Sequence, residues 1–247
     1  MSGYRQPIGE LQSLRTARRA LVQEGPLALL RLGVLYVTFP IWSRLRQPGQ
    51  FTFAGETYHY FWSNYNVTWS NERAVELPIA RAFLHRHAGK RVVEIGNVMA
   101  HYMPVSHAVV DKFERGRHVQ NGDVVDLEGE YDAILSVSTL EHVGWDEIPF
   151  EPDKSLRALD VLARRLAPGG ELLLTVPVGY NADLDRALFR GATPLTEVRA
   201  MKRVARDVWL ECELADLEGV EYARPHRGAN GLVIGILRDS PMEPPPS

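Results

Sequence analysis

The stretch RVVEIGNVMAH, Arg91 to His101, decides how the rest of the chain is read. Val92, Val93 and Ile95 make a short apolar strand with Glu94 inside it and Gly96 at its end. A strand ending on glycine opens a nucleotide-binding turn, because glycine lets the backbone come close to a ligand. Such a turn normally continues to a second glycine. Here it continues Asn97-Val98-Met99-Ala100, and the Val98 side chain should obstruct that approach. From Gly96 to Asp111 is 15 positions, short of the ~20 residues typical of dinucleotide units. Pro104 lies within the interval, so the helix expected there is clipped or irregular.

Downstream, short apolar runs alternate with helical patterns. The strand candidates are 92–95, 108–110, 133–137, 171–176, one within 208–223, and 232–237. They are β-branched and short, as strands covered on both faces should be. Residues 155–167 place Leu156, Leu159, Leu162, Ala163 and Leu166 on one helical face, and Pro168-Gly169-Gly170 should stop that helix. The pattern predicts an α/β fold with a doubly wound, mostly parallel sheet.

Upstream, residues 51–62 read as an aromatic hairpin around Ala54-Gly55-Glu56. A helix follows from about Asn71 to residue 84, and Pro78 should bend it. The aromatic residues Tyr58, Tyr60, Trp62, Tyr65 and Trp69 read as packing for the added hairpin, with a lid over an acceptor as the alternative. Residues 10–24 read as a helix carrying Arg15, Arg18 and Arg19. Residues 27–42 are the most apolar run, interrupted by Arg31, broken by Pro40, and shorter than the ~20 residues of a bilayer span. Two readings stay open: a buried or self-associating helix, or a helix lying on a membrane surface. Arg18, Arg19, Arg44 and Arg46 suit anionic headgroups in the second.

The 247 residues are 45% hydrophobic and 24% charged, which fits one globular domain with an N-terminal addition. A net charge of −3 gives a nucleic-acid partner no basic face. The single cysteine, Cys212, precludes an internal disulfide, and no Cys/His spacing reads as a metal site. With no secretion-signal pattern at the start, the expectation is a cytoplasmic protein, in contact with a membrane at most peripherally.

In a doubly wound sheet, ligands sit at the carboxyl ends of the strands where strand order reverses. The first strand ends at Gly96-Asn97. The second ends at Asp111, whose carboxylate suits a ribose diol. Asp123 could accept from an adenine amine while the Val124 N–H donates to the ring; Asp126 is its rival. The fourth strand runs into Ser136, Ser138 and then Thr139-Leu140-Glu141-His142. His142 is the candidate base, with His101 and His107 as weaker alternatives. Glu141 reads as structural, bonding backbone N–H groups of the first loop. The loops 144–153 and 180–185 should shape an acceptor pocket, and Trp145, Asp146, Tyr180 and Asn181 suit a sugar-like ligand.

In this order and spacing, VVEIGN, VVDKFE, GDVVDL, YDAILSVSTLEHVG and LAPGGELLLTVPVG resemble the class I S-adenosylmethionine-dependent methyltransferases over about residues 72–237. HYMPVSHAVVDKFE with SVSTLEHVGWDE is similar to a bacterial and archaeal subgroup with a divergent first glycine motif. Its members look like parts of surface-glycan or lipid-linked sugar pathways. The resemblance implies a seven-stranded Rossmann-like sheet and S-adenosylmethionine as methyl donor. By position it makes Glu94, Gly96 and Asn97 methionine-side contacts, Asp111 the ribose ligand, Asp123 and Val124 the adenine contacts, and Ser136 and Ser138 the wall beneath the sulfonium. It implies methyl transfer to an oxygen of a small or lipid-linked glycan-like acceptor. The alternative is a binding protein or membrane-surface scaffold that keeps the fold without the chemistry. The resulting organisation is an N-terminal extension over 1–50, a methyltransferase-like domain over 51–240 with its nucleotide core at about 88–240, and a disordered tail over 241–247.

Overall fold

The computed structural model describes Leu30 and residues 33–239. The expected helix at 10–24 and the tail at 241–247 lie outside the described residues. The chain divides at Pro48 into two units.

In the first unit, residues 33–45 are helical (α1). Pro40 sits inside this helix and does not break it, since one missing N–H removes one bond and not the whole ladder. Phe39 and Trp42 pack edge to face at 5.0 Å, and the Trp42 indole N–H donates to the Leu35 carbonyl at 3.0 Å. Val34, Val37, Ile41 and Leu45, spaced by three or four, are exposed.

The second unit opens with a hairpin, β1 (Gln50–Phe53) and β2 (Glu56–His59), paired Phe53 to Glu56. Its two-residue turn, Ala54-Gly55, has positive φ at both positions (53° and 79°), as a tight hairpin turn requires. Helix α2 (Arg73–Arg86) follows. The Asn71 side chain caps it, accepting from the Arg73 N–H at 3.0 Å. Pro78 was expected to bend α2, but the helix continues through it. Pro78 has no N–H for the Ala74 carbonyl four residues back, and that carbonyl accepts from the Phe61 N–H at 2.9 Å. The proline thus docks the chain leaving the hairpin onto α2.

The main sheet has eight strands, not the expected seven. They are β3 (Val92–Ile95), β4 (Ala108–Asp111), β5 (Val119–Asn121), β6 (Tyr131–Val137), β7 (Leu166–Pro177), β8 (Glu197–Ala205), β9 (Val208–Cys212) and β10 (Gly231–Arg238). Their order is β5-β4-β3-β6-β7-β10-β8-β9. The run from β5 to β7 is parallel, while β10, β8 and β9 add antiparallel. Order reverses between β3 and β6, which makes a doubly wound α/β sheet with its ligand crevice at the carboxyl ends of those two strands.

Alternation along the strands supplies both faces. Ile134, Leu172 and Leu174 pack with Leu159 and Leu162 of α3 (Lys154–Arg164) and Leu184 and Leu188 of α4 (Ala182–Phe189). On the other face, Leu135, Val137 and Leu173 pack with Val75, Leu77 and Phe83 of α2 and with Phe51 and Phe53 of the hairpin. Tyr60 is buried on that same side, and Trp69 is buried as well. Pro168-Gly169-Gly170 does not end α3. The helix stops at Arg164, and the three residues form an irregular start to β7, beside a register shift in β6.

Candidate active site

Gly96 sets the floor of the crevice. Its φ is +84°, and a Cβ there would lie 2.2 Å from Thr139 Oγ1. Only glycine lets the loop after β3 pass this close to the loop after β6. The interval to β4 holds only a 3-10 turn, Met99–His101, so the expected clipped helix is one turn long. The turn wraps over Glu94. One buried Glu94 oxygen accepts from the N–H groups of Val98 (2.9 Å) and Met99 (2.7 Å), and the other meets His107 Nε2 at 2.8 Å. Glu94, not Glu141, therefore bonds the first loop's backbone. Val98 is accommodated because its N–H points inward to Glu94.

Asn97 and Asp111 tie this loop to the end of β4. Asp111 Oδ2 accepts from the Asn97 N–H at 3.1 Å, and Oδ1 accepts from those of Phe113 (2.8 Å) and Glu114 (2.6 Å). The Asn97 amide donates to Glu114 at 2.6 Å, and its oxygen meets His118 at 3.1 Å. Asp123 caps a short turn over Val124, which is buried. Its second oxygen receives Lys112 at 2.8 Å and Lys154 at 2.6 Å, and both lysines also reach Glu147. Burial pushes the Asp123 carboxyl up, but the two ammonium groups outweigh it and hold the group below the ordinary aspartate value.

Beyond β6 the site changes character. Ser136 is buried, and its hydroxyl has no hydrogen-bond partner among the described residues. Ser138 is held at φ +39°. Its N–H donates to the Thr175 carbonyl at 3.0 Å, and its hydroxyl donates to Glu76. Glu76 also accepts from Thr175 Oγ1 (2.7 Å) and pairs with Arg73 (2.7 Å). Glu72, buried beside this pair, accepts the Ala229 N–H at 2.8 Å. The Arg73 guanidinium pairs with Glu76 and is influenced by the charges of the nearby buried Glu72 and Glu141. Burial, then the neighbouring Glu76 and Glu72, hold the Glu141 carboxyl well above the usual carboxylate range. One Glu141 oxygen has no partner among the described residues; the other lies 3.6 Å from His142 Nε2.

His142 closes the 3-10 turn Leu140–His142 and is half exposed. Its Nδ1 meets Asp146 Oδ2 at 2.6 Å. An ionised carboxylate only accepts, so Nδ1 carries the proton and Nε2 keeps its lone pair. The Tyr180 hydroxyl donates to the same Asp146 oxygen at 2.6 Å, and its ring packs edge-on to His142 at 4.6 Å. Asn181 caps α4 through its side-chain oxygen and donates its amide to the Glu141 carbonyl at 3.1 Å, joining the loop after β7 to the turn after β6.

The fold thus brings all nine sequence-predicted residues to the carboxyl edge of β3, β4 and β6 or to the turn beside β5. Three features are additions. The acidic cluster at the start of α2 was readable from the spacing of Glu76, which is i+3 from Arg73 and i+4 from Glu72. The Lys112/Lys154 clamp on Asp123 and Glu147 is long-range and left no local signal. The Asp146 partner of His142 lay four residues on, but nothing in the sequence said that the turn would fold back.

A methyl-donor nucleoside fits these donors and acceptors by count. A carboxylate has about four lone-pair sites. Asp111 and Asp123 each use three within the protein, leaving one apiece for a ribose hydroxyl and an exocyclic amine, and the buried Ser136 hydroxyl is uncommitted.

No family model and no curated protein matches the chain. Among solved structures, it is similar to the N-methyltransferase NodS from Bradyrhizobium japonicum WM9, at 16% identity over 68% of this chain and 96% of that one, with a TM-score of 0.45. NodS in complex with S-adenosyl-L-homocysteine gives 14% identity over 68% and 87%, TM-score 0.42. Magnesium protoporphyrin IX methyltransferase from Synechocystis PCC 6803, with bound S-adenosylmethionine, gives 13% over 81% and 90%, TM-score 0.40. The doubly wound fold assigned above rests on strand order, not on these likenesses.

Proposed function

We propose that the chain transfers a methyl group from S-adenosylmethionine to an oxygen of a small or lipid-linked glycan-like acceptor, with His142 as the base. The observation that carries this reading is the Asp146–His142 pair beside the crevice between β3 and β6. When bound, the sulfonium supplies an activated methyl, so alignment and one proton acceptor suffice. His142 Nε2 would take the proton of the acceptor hydroxyl as its oxygen accepts the methyl, and Asp146 would stabilise the imidazolium so formed. Asp111 would hold the ribose, Asp123 and Val124 the adenine, and Glu94, Gly96 and Asn97 the methionine end. Ser136 and Ser138 would form the wall under the reacting carbon.

The test is methyl transfer from labelled S-adenosylmethionine to a panel of glycan hydroxyls, run beside calorimetry on the same sample. Cofactor heat with labelled product supports the reading. No heat and no thermal shift would favour a non-catalytic scaffold.

No helix among the described residues is long and apolar enough to cross a membrane. A peripheral role for residues 27–42 draws support from the exposed Val34, Val37, Ile41 and Leu45 on α1 with Arg44 and Arg46 alongside. Flotation of the intact chain with anionic liposomes tests it, and a chain that stays at the bottom rejects it.

A further inference from the structure

A second concave site lies between the hairpin and the later turns of α2, with a volume of 580 Å³. Its floor is apolar, built from Tyr60, Phe61, Pro78 and Ala82. The floor is fixed: Tyr60 is buried with its hydroxyl accepting from the Trp209 N–H at 2.9 Å, and Phe61 is held to α2 by the bond to the proline-freed Ala74 carbonyl.

The rim is cationic. Arg81, His85 and Arg86 stand on the exposed side of α2, and His59 faces them from β2. Glu56 is the single carboxylate in the lining, and it accepts from the Tyr58 hydroxyl at 2.7 Å. Two arginines against one glutamate leave the lining at +1 before either histidine is counted. Among the described residues, neither Arg81 nor Arg86 forms an ion pair with a carboxylate; Arg86 bonds the Tyr58 hydroxyl and lies 5.9 Å over the Phe83 ring. The helix dipole accounts for cations in the last turn, His85 and Arg86. It does not account for Arg81 a turn earlier, for His59 on the facing strand, or for the fixed apolar floor between them.

We propose that this cleft binds a phosphate ester: the two guanidinium groups take the phosphate oxygens and the apolar floor takes the organic part. Arginine suits this task because its planar fork meets phosphate oxygens in pairs. The site is distinct from the crevice at β3 and β6 and does not depend on methyl transfer. The phosphate can belong to a free phosphorylated metabolite or to a lipid headgroup, and the two arms of the test separate these sources.

The first arm titrates the full chain with glycerol 3-phosphate in a calorimeter, with glycerol as the uncharged control. The second floats the chain with phosphatidylglycerol vesicles against phosphatidylcholine vesicles. Both are repeated on the double variant Arg81→Gln/Arg86→Gln, with near-ultraviolet circular dichroism to confirm its fold. Both positions are exposed, so the variant should fold. Each lost guanidinium contact should weaken binding about 10-fold or more, with glycerol inert throughout. Loss in the first arm identifies a free phosphate ester; loss in the vesicle arm alone identifies a lipid headgroup. If neither ligand is held, or if the folded double variant binds as well as the parent in both arms, the proposal is overturned.

Discussion

The two sides of the crevice are built on opposite plans. On the β4–β5 side two strand-end carboxylates are largely engaged: Asp111 by three backbone N–H groups, Asp123 by a capped N–H and two lysines. On the β6–β7 side, polar groups are left over. Ser136 and one Glu141 oxygen lack partners among the described residues, Glu72 and Glu141 are buried near the Arg73–Glu76 pair, and His142 is half exposed. The first side is a preformed frame with a single acceptor position left on each carboxylate. The second stores unsatisfied valence, which is costly unless a ligand uses it. The difference assigns holding to one side and chemistry to the other.

The sharpest break of this division is His142→Ala. If chemistry lies beyond β6, the variant should lose about 10²–10⁴-fold in methyl-transfer rate while its cofactor affinity stays put. Binding calorimetry and single-turnover rates on one sample check this. A parallel loss of affinity and stability would make the histidine a packing residue instead.

Next in size is Arg73→Ala. It leaves Glu76 buried without its cation, and breaking such a buried pair costs about 3–5 kcal/mol. Chemical denaturation should register that loss. A change below ~1 kcal/mol would mean that the carboxyls are already neutral and the cluster is not charged.

On the holding side, Asp111→Ala should weaken S-adenosylhomocysteine binding by about 1.5–3 kcal/mol, the range for bonds to a charged group. Asp123→Asn should lose less, since the amide keeps an acceptor oxygen. Calorimetric titration of both variants ranks them, and a larger loss at Asp123 would reverse the assignment of ribose and adenine ends.

The smallest effect concerns Asp185, on α4 after β7. Burial raises its carboxyl to about 6, against a bond from the Gly179 N–H at 2.8 Å. The folded state therefore holds the proton more tightly than the unfolded chain. Stability falls as pH rises from the unfolded aspartate value, ~3.9, through about 6, and stays low above it. Asp185→Asn removes that penalty, raising stability by up to about 2 kcal/mol at pH 7 and by nothing near pH 4. Melting curves at the two pH values test it; equal melting points at pH 7 would mean that solvent already screens the group.

The parallel half of the sheet was legible because β3, β4, β6 and β7 are runs of Val, Ile and Leu covered on both faces. β8 was missed because EVRAMKRVA carries Arg199, Lys202 and Arg203 within the strand. Arg199 pairs with Glu197 and Glu211 and Arg203 bonds backbone carbonyls, partners invisible from local pattern. β5 is three residues long, too short for a period to show. At the site, strand-end carboxylates could be picked by position, and Pro104 with the short interval foretold the clipped turn. What each carboxylate touches could not be read. Lys154 reaches Asp123 across 31 positions and Glu76 reaches Thr175 across 99.

The central claim is that this crevice binds S-adenosylmethionine, and calorimetry of the full-length wild-type chain with S-adenosylhomocysteine tests it most directly. The account predicts a saturable heat for one site per chain, reduced about 10- to 150-fold in affinity by Asp111→Ala. A folded wild-type chain that gives no heat and no thermal shift at ~1 mM ligand, where even a weak site of about −4 kcal/mol would be half filled, would contradict it.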